Sequence, residues 1–216
     1  MNTVLTEYRG LLWSGFLTTV ELSVLAALVA FAVGAALAVA RVSPVGPLRT
    51  SAAVYVQLVR NTPLTVVFFL IVFAAPQVDL AAPSYFLAAV GALGLYTAAF
   101  VGEALRSGIN AVGSGQGEAA RALGLRFGQT MRHIVLPQAA RAVLPPLGST
   151  WIALVKNSSI AAGFAVTELT ATSQRIAFLA PQAVLPALLV IALAYLLITV
   201  PSGLAVEWYE RRTAAA

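Results

Sequence analysis

Two short polar clusters stand inside otherwise apolar stretches of the chain, Arg60-Asn61-Thr62-Pro63 and Lys156-Asn157-Ser158-Ser159. A cation, an amide and hydroxyls in such a setting make no nucleophile and base pair. They supply positive charge and hydrogen-bonding groups, which suits holding or passing a polar solute rather than breaking a bond. A charge at the centre of a bilayer costs about 2.5 to 3.5 kcal/mol on insertion scales, and freed backbone groups need partners. Both clusters are therefore expected to face protein or a water-filled path, and interrupted spans point to transport sites. The plainer reading is that Pro63 starts a helix capped by Asn61 or Thr62 while Arg60 reaches to the interface. Asn157-Ser158-Ser159 also matches a glycosylation sequon, which is discounted inside a span.

A third pattern lies between these clusters. Glu118-Ala119-Ala120 is followed after three residues by Gly124, and after nine more by Ile134-x-Leu136-Pro137. Residues Glu118 to Leu123 can form a short helix whose small Ala119 and Ala120 permit close contact. Gly124 can take the left-handed conformation that ends such a helix. Ile134 to Pro137 then leads the chain back into an apolar stretch. A helix lying on a membrane surface explains the Arg and Leu residues here, but not the whole spacing.

Other chemistries lack their residues. The chain has no Cys and one histidine, His133, which removes thiolate metal sites, disulfides and most acid/base constellations. Its only lysine, Lys156, is preceded by Val155 and followed by Asn157, so no Gly-rich phosphate-cradling loop exists. The net charge of +5 comes from arginines flanking apolar stretches. They are read as topology determinants, not as a nucleic-acid surface.

The elements that must position these residues are membrane spans. Of 216 residues, 60% are hydrophobic and 10% charged, with a mean hydropathy of +0.89. A typical soluble domain carries about a quarter charged residues. The pattern predicts an all-α polytopic membrane protein with about five spans, at 13–40, 52–75, 84–104, 143–166 and 184–206. One transmembrane domain is expected to occupy 1–216, with a long loop at 105–142. The first stretch is too long for the core of a signal peptide and reads as a retained span. Arginines at 41, 49, 106, 121, 126, 132, 141, 211 and 212 place the first and third connectors and the C-terminus in the cytoplasm, and the N-terminus outside. Ala26, Ala30, Gly34 and Ala38 recur every fourth residue, so another helix could approach along that stripe. Glu103 and Arg106 are spaced to pair on one helix face.

The Glu118 to Pro137 pattern resembles the signature of ATP-binding-cassette importer permeases, with every place filled. Arg41-Val42-Ser43-Pro44-Val45, Arg60-Asn61-Thr62-Pro63-Leu64, Glu103 to Asn110 and Leu154-Val155-Lys156-Asn157 resemble the polar amino acid group of that family, and its glutamate-type members most. The chain departs at Asn157-Ser158, where many amino acid permeases have Asp-Thr. The resemblance implies a type I importer permease fold whose short coupling helix docks on an ATPase subunit. Glu118, Ala119, Ala120, Gly124, Ile134, Leu136 and Pro137 would form that contact, and Arg60, Asn61, Thr62, Lys156, Asn157, Ser158 and Ser159 are candidates for the substrate path. The implied partners are ATP-binding-cassette ATPase subunits, a second permease subunit of the same or a related chain, and an extracytoplasmic binding protein. The implied cargo is a polar amino acid, glutamate first, with ATP and Mg bound by the ATPase and no cofactor by this chain. A secondary transporter or channel is the competing class, and it leaves the loop spacing unexplained.

Overall fold

A computed structural model describes residues 6–80 and 82–214, and no strand occurs among the described residues. Helix α1 (Arg9–Val42) has 34 residues. At 1.5 Å per residue it is about 51 Å long, more than the hydrocarbon layer needs. It stops at Ser43, which is extended before Pro44. The Ser43 hydroxyl accepts the Val45 N–H at 3.1 Å and so turns the chain into α2 (Gly46–Asn61).

The stretch expected as a single span at 52–75 is two arms bent by 108°. Thr62 is extended because Pro63 follows it, so α2 cannot continue and α3 (Leu64–Phe69) begins afresh. Asn61 and Thr62 do not cap α3. Their side chains turn back instead and donate to the carbonyls of Gln57 and Leu58, each at 2.8 Å, satisfying the end of α2. From α3 the arm continues through a π-helical turn, Leu70–Ala74, and a 3-10 turn, Ala75–Val78, to left-handed Asp79.

Helix α4 (Tyr85–Ala111) starts at Ser84, whose hydroxyl accepts the Leu87 N–H at 3.2 Å. It is the centre of the bundle: 61% of its most apolar window is buried, against 33% for α1 and 17% for the C-terminal span. The stripe on α1 packs here, with Ala26, Ala30, Gly34 and Ala38 all buried. A methyl group added at Gly34 would lie 2.7 Å from Val101 Cγ1, and one at Gly102 would lie 3.1 Å from the Gly34 carbonyl oxygen. Only hydrogen on those α-carbons lets the backbones approach this far.

The third connector holds α5 (Ser114–Ala122) and α6 (Phe127–Thr130). A π-helical turn, Met131–Val135, joins α6 to α7 (Leu136–Asn157). The fourth expected span, 143–166, is also corrected: α7 starts earlier, ends at Asn157, and passes into a 3-10 stretch, Ser158–Phe164. Among the described residues three helical stretches are long and apolar enough to cross a membrane, and the bent pair taken as one span makes a fourth. Helix α7 is long enough at 22 residues, but Arg141, Ser149, Thr150 and Lys156 dilute its apolarity.

Residues 167–183, which lie between the expected fourth and fifth spans, are packed structure. Helix α8 (Leu169–Leu179) is capped by Glu168, whose carboxylate accepts the N–H groups of Thr170 and Ala171 at 2.9 Å each. The fully buried Glu168 also accepts the Tyr195 hydroxyl at 2.7 Å, from α9 (Val184–Ala214). The Leu169 N–H donates to Thr19 Oγ1 of α1 at 3.0 Å. One buried polar knot thus joins α1, α8 and α9.

The fit of α1 on α4 carries a test. Gly34→Val should destabilise the detergent-solubilised protein by roughly 1 to 3 kcal/mol, the usual cost of overpacking, seen as a lower unfolding temperature. Ala36→Val, at an exposed position of the same helix, should change little. Equal unfolding temperatures for the two variants would contradict the packing described.

Candidate functional site

The loop after α4 is built as a projecting helical elbow. Helix α5 carries Glu118, Ala119 and Ala120; Ala120 is buried, and Glu118 and Ala119 are exposed. Gly124 ends it at φ +75°, with its N–H donating to the Arg121 carbonyl at 2.9 Å and the Leu125 N–H to the Ala120 carbonyl at 3.0 Å. A side chain at 124 would be strained in this left-handed turn. The Arg126 N–H then donates to Gln129 Oε1 at 2.9 Å, which opens α6. Leu123 and Phe127 flank the turn and are 80% and 82% exposed. Ile134 sits in the π-helical turn and Leu136 begins α7, with Pro137 in its first turn, where a missing N–H costs nothing. These residues form one protruding unit with two large apolar side chains at its tip.

The polar clusters meet around Phe100 of α4. A cleft of about 450 Å³ is lined by Arg41, Gln57, Arg60, Asn61, Phe100 and Glu103. The Arg60 guanidinium lies 5.5 Å from the Phe100 ring centroid, within cation–π range. Glu103 is held by Arg106, whose Nε donates to its carboxylate at 3.1 and 3.2 Å, and Arg41 lies 3.8 Å away. Arg60 forms no ion pair within 4 Å among the described residues, and Glu103 shares its cleft.

A second cleft, about 350 Å³, shares Phe100 and is lined by Tyr96, Thr97, Ser149, Thr150 and Asn157 among others. The structure thus brings Arg60, Asn61 and Asn157 to two sides of one aromatic ring. Thr62, Lys156, Ser158 and Ser159 line neither cleft. Ser158 is buried with its hydroxyl donating to the Val155 carbonyl at 2.7 Å, and Ser159 donates to the Lys156 carbonyl at 2.8 Å. These two hydroxyls close the end of α7. Lys156 is exposed in the last helical turn and has no ion pair among the described residues.

Phe100, Tyr96 and Gln57 were not singled out from sequence. Phe100 stands three residues before Glu103 on one helix face, a spacing that carries meaning only once the arginines of α1 and α2 are known to face it. Phe164, in the 3-10 stretch after α7, packs against Phe68 and Phe69 of α3 at 4.9 and 5.0 Å between ring centroids. Segments that follow the two chain breaks are in this way fixed to each other.

Residues 13–215 match the family described as binding-protein-dependent transport system inner membrane component. The chain is 37% identical over 210 residues to a probable glutamine ABC transporter permease protein, GlnM, of Bacillus subtilis, covering 97% of this chain and 96% of that one. It is 38% identical to the glutamate transport system permease protein GluC of Corynebacterium glutamicum, over 99% of both. Among solved structures, an amino acid ABC transporter crystallised with histidines has a chain that superposes with a TM-score of 0.88, at 32% identity and 96% coverage of each chain. With the likeness running end to end, the chain belongs to the inner-membrane permease family of binding-protein-dependent, ATP-binding-cassette transport systems.

Proposed function

We propose that this permease imports a polar amino acid, glutamate in the first place, and that the 105–142 loop is its contact with an ATPase subunit. The loop is the observation that carries the second half. A buried Ala120 and a left-handed Gly124 leave Leu123 and Phe127 exposed on either side of one turn, a pair of large apolar side chains that a partner's surface could cover. ATP and Mg belong to that partner. A second permease subunit and an extracytoplasmic amino-acid-binding protein complete the assembly, and the loop lies in the cytoplasm with the N-terminus outside.

The substrate half rests on two supports. Relatives over nearly the full length are named for glutamate and glutamine transport. The cleft at Phe100 offers Arg60, which forms no close ion pair among the described residues, next to the amide of Asn61. A desolvated cation acts strongly on an anionic side chain passing it. Asn157 contributes a neutral amide, so the second cleft does not repel that charge.

Three outcomes test this. Glu118→Lys and Gly124→Pro should leave the chain in the membrane yet abolish ATP-driven uptake, and Phe127→Ala should weaken pull-down of the ATPase on the order of tenfold; full uptake by all three at wild-type levels would remove the loop from the ATPase contact. For orientation, single cysteines at the exposed positions Ser114 and Gln174 should be spared and labelled, respectively, by an impermeant thiol reagent on intact cells. Labelling at 114 alone inverts the topology. In proteoliposomes holding the whole complex with its binding protein, glutamate should stimulate ATP hydrolysis, and Arg60→Ala and Asn157→Asp should each lower glutamate transport more than glutamine transport. Stimulation by glutamine alone would move the assignment to the neutral amide, and transport without any ATPase would favour a secondary carrier.

A further inference from the structure

Helices α7 and α9 run antiparallel. Gly148 faces Val206, and one turn further along α7 the Trp151 indole N–H donates to Ser202 Oγ at 3.1 Å. Alongside this crossing lies a groove of about 520 Å³, walled by Leu144, Leu147, Ala205, Trp208 and Tyr209 among others. The Trp151 to Ser202 hydrogen bond lies towards its far end. At its loop end the antiparallel register brings Arg141 of α7 level with Arg212 of α9. The Arg212 guanidinium lies 4.3 Å from the Trp208 ring centroid, directly over a wall of the groove.

Both arginines are exposed, and neither has an ion-pair partner among the described residues. The nearby carboxylate of Glu207 is taken by Arg211. Glu210 stands two residues before Arg212 and so points to the other side of α9. The groove therefore has an apolar body, an aromatic rim at the depth where the apolar run of α9 gives way to charge, one free cation over that rim, and a second, Arg141, on the groove-facing side of α7 three and seven residues before Leu144 and Gly148.

We propose that this groove holds one acyl chain of an anionic phospholipid, with the phosphate headgroup seated between Arg141 and Arg212. The wall favours a hydrocarbon chain over any polar solute, and its size suits one chain. The mouth selects negative charge, as basic pockets between membrane helices do for acidic headgroups. Trp208 and Tyr209 sit where amphipathic rings prefer the headgroup level. The inference rests on the chain being a membrane-embedded bundle and is independent of the substrate and of the loop's partner.

Native mass spectrometry of the full chain in detergent tests it, with phosphatidylglycerol and phosphatidylcholine of identical acyl chains added separately. Phosphatidylglycerol should be retained over phosphatidylcholine. Arg141→Gln and Arg212→Gln should each weaken that retention roughly fivefold, the effect of one basic residue near an anionic headgroup, while Arg212→Lys keeps most of it. Ala205→Trp, which fills the groove and leaves both arginines, should displace the lipid as well. Equal retention of the two lipids, or phosphatidylglycerol retention untouched by the double Arg141→Gln, Arg212→Gln variant, overturns the proposal. Lipid retention unchanged by Ala205→Trp together with a loss of dimer would instead make the groove a face for a second copy, and the lipid site would fall.

Discussion

In a hydrocarbon layer, a backbone N–H or C=O that leaves its helix must find a partner inside the protein, because no water is there to take its place. Each break in this bundle carries the mark of that constraint. After α2 the side chains of Asn61 and Thr62 return to the carbonyls of the turn they end. After α7 the hydroxyls of Ser158 and Ser159 do the same. At the start of α8 a buried carboxylate takes two N–H groups at once. Because the breaks are self-satisfied, they can be placed beside a cleft without collapsing it.

The second requirement is a rigid frame from which the breaks project. Lipid gives no hydrophobic reason for helices to associate, so α1 and α4 rely on closeness of fit, with Gly34 and Gly102 removing the atoms that would hold the backbones apart. On the far side of that frame, the Tyr55 hydroxyl donates to the Leu95 carbonyl at 2.9 Å and pins α2 to the same central helix. The clefts around Phe100 lie between elements that α4 fixes on each side. The 108° bend of α2 on α3 and the stop of α7 at Asn157 are held relative to each other through Phe164.

Charge is distributed with equal economy. Glu103 lies between Arg41 and Arg106, which ties α1 to α4 where the bundle meets the loop. Arg60, one turn of α2 beyond Gln57, is left facing an aromatic ring in place of a carboxylate. Along α5 only Ala120 is buried, while Leu123 and Phe127 beyond its end are exposed. Arginines of the same short stretch of bundle are thus held in different ways, Arg41 and Arg106 by a carboxylate and Arg60 over an aromatic ring.

Much of this was legible in the residues. The apolar runs gave an all-helical membrane chain, the Glu118 to Pro137 spacing gave a short helix ended at Gly124, the four-residue stripe on α1 gave a close helix contact, and Glu103 with Arg106 gave a pair. All of these are local patterns, read within a few turns of one helix, where periodicity and turn chemistry decide the outcome. What the sequence could not decide were relations between distant segments. It offered Asn61 or Thr62 as caps for the following helix, while the fold spends them on the preceding one. It offered seven polar residues for a path, of which the fold brings Arg60, Asn61 and Asn157 to Phe100 and turns Ser158 and Ser159 back on their own helix. Glu168 was not singled out at all, and it is a buried cap because Thr19 and Tyr195, about 150 and 27 residues away in sequence, converge on the same turn. Periodicity reports which face of a helix is apolar, but which helix meets that face is set by packing, and only the tertiary structure holds that information.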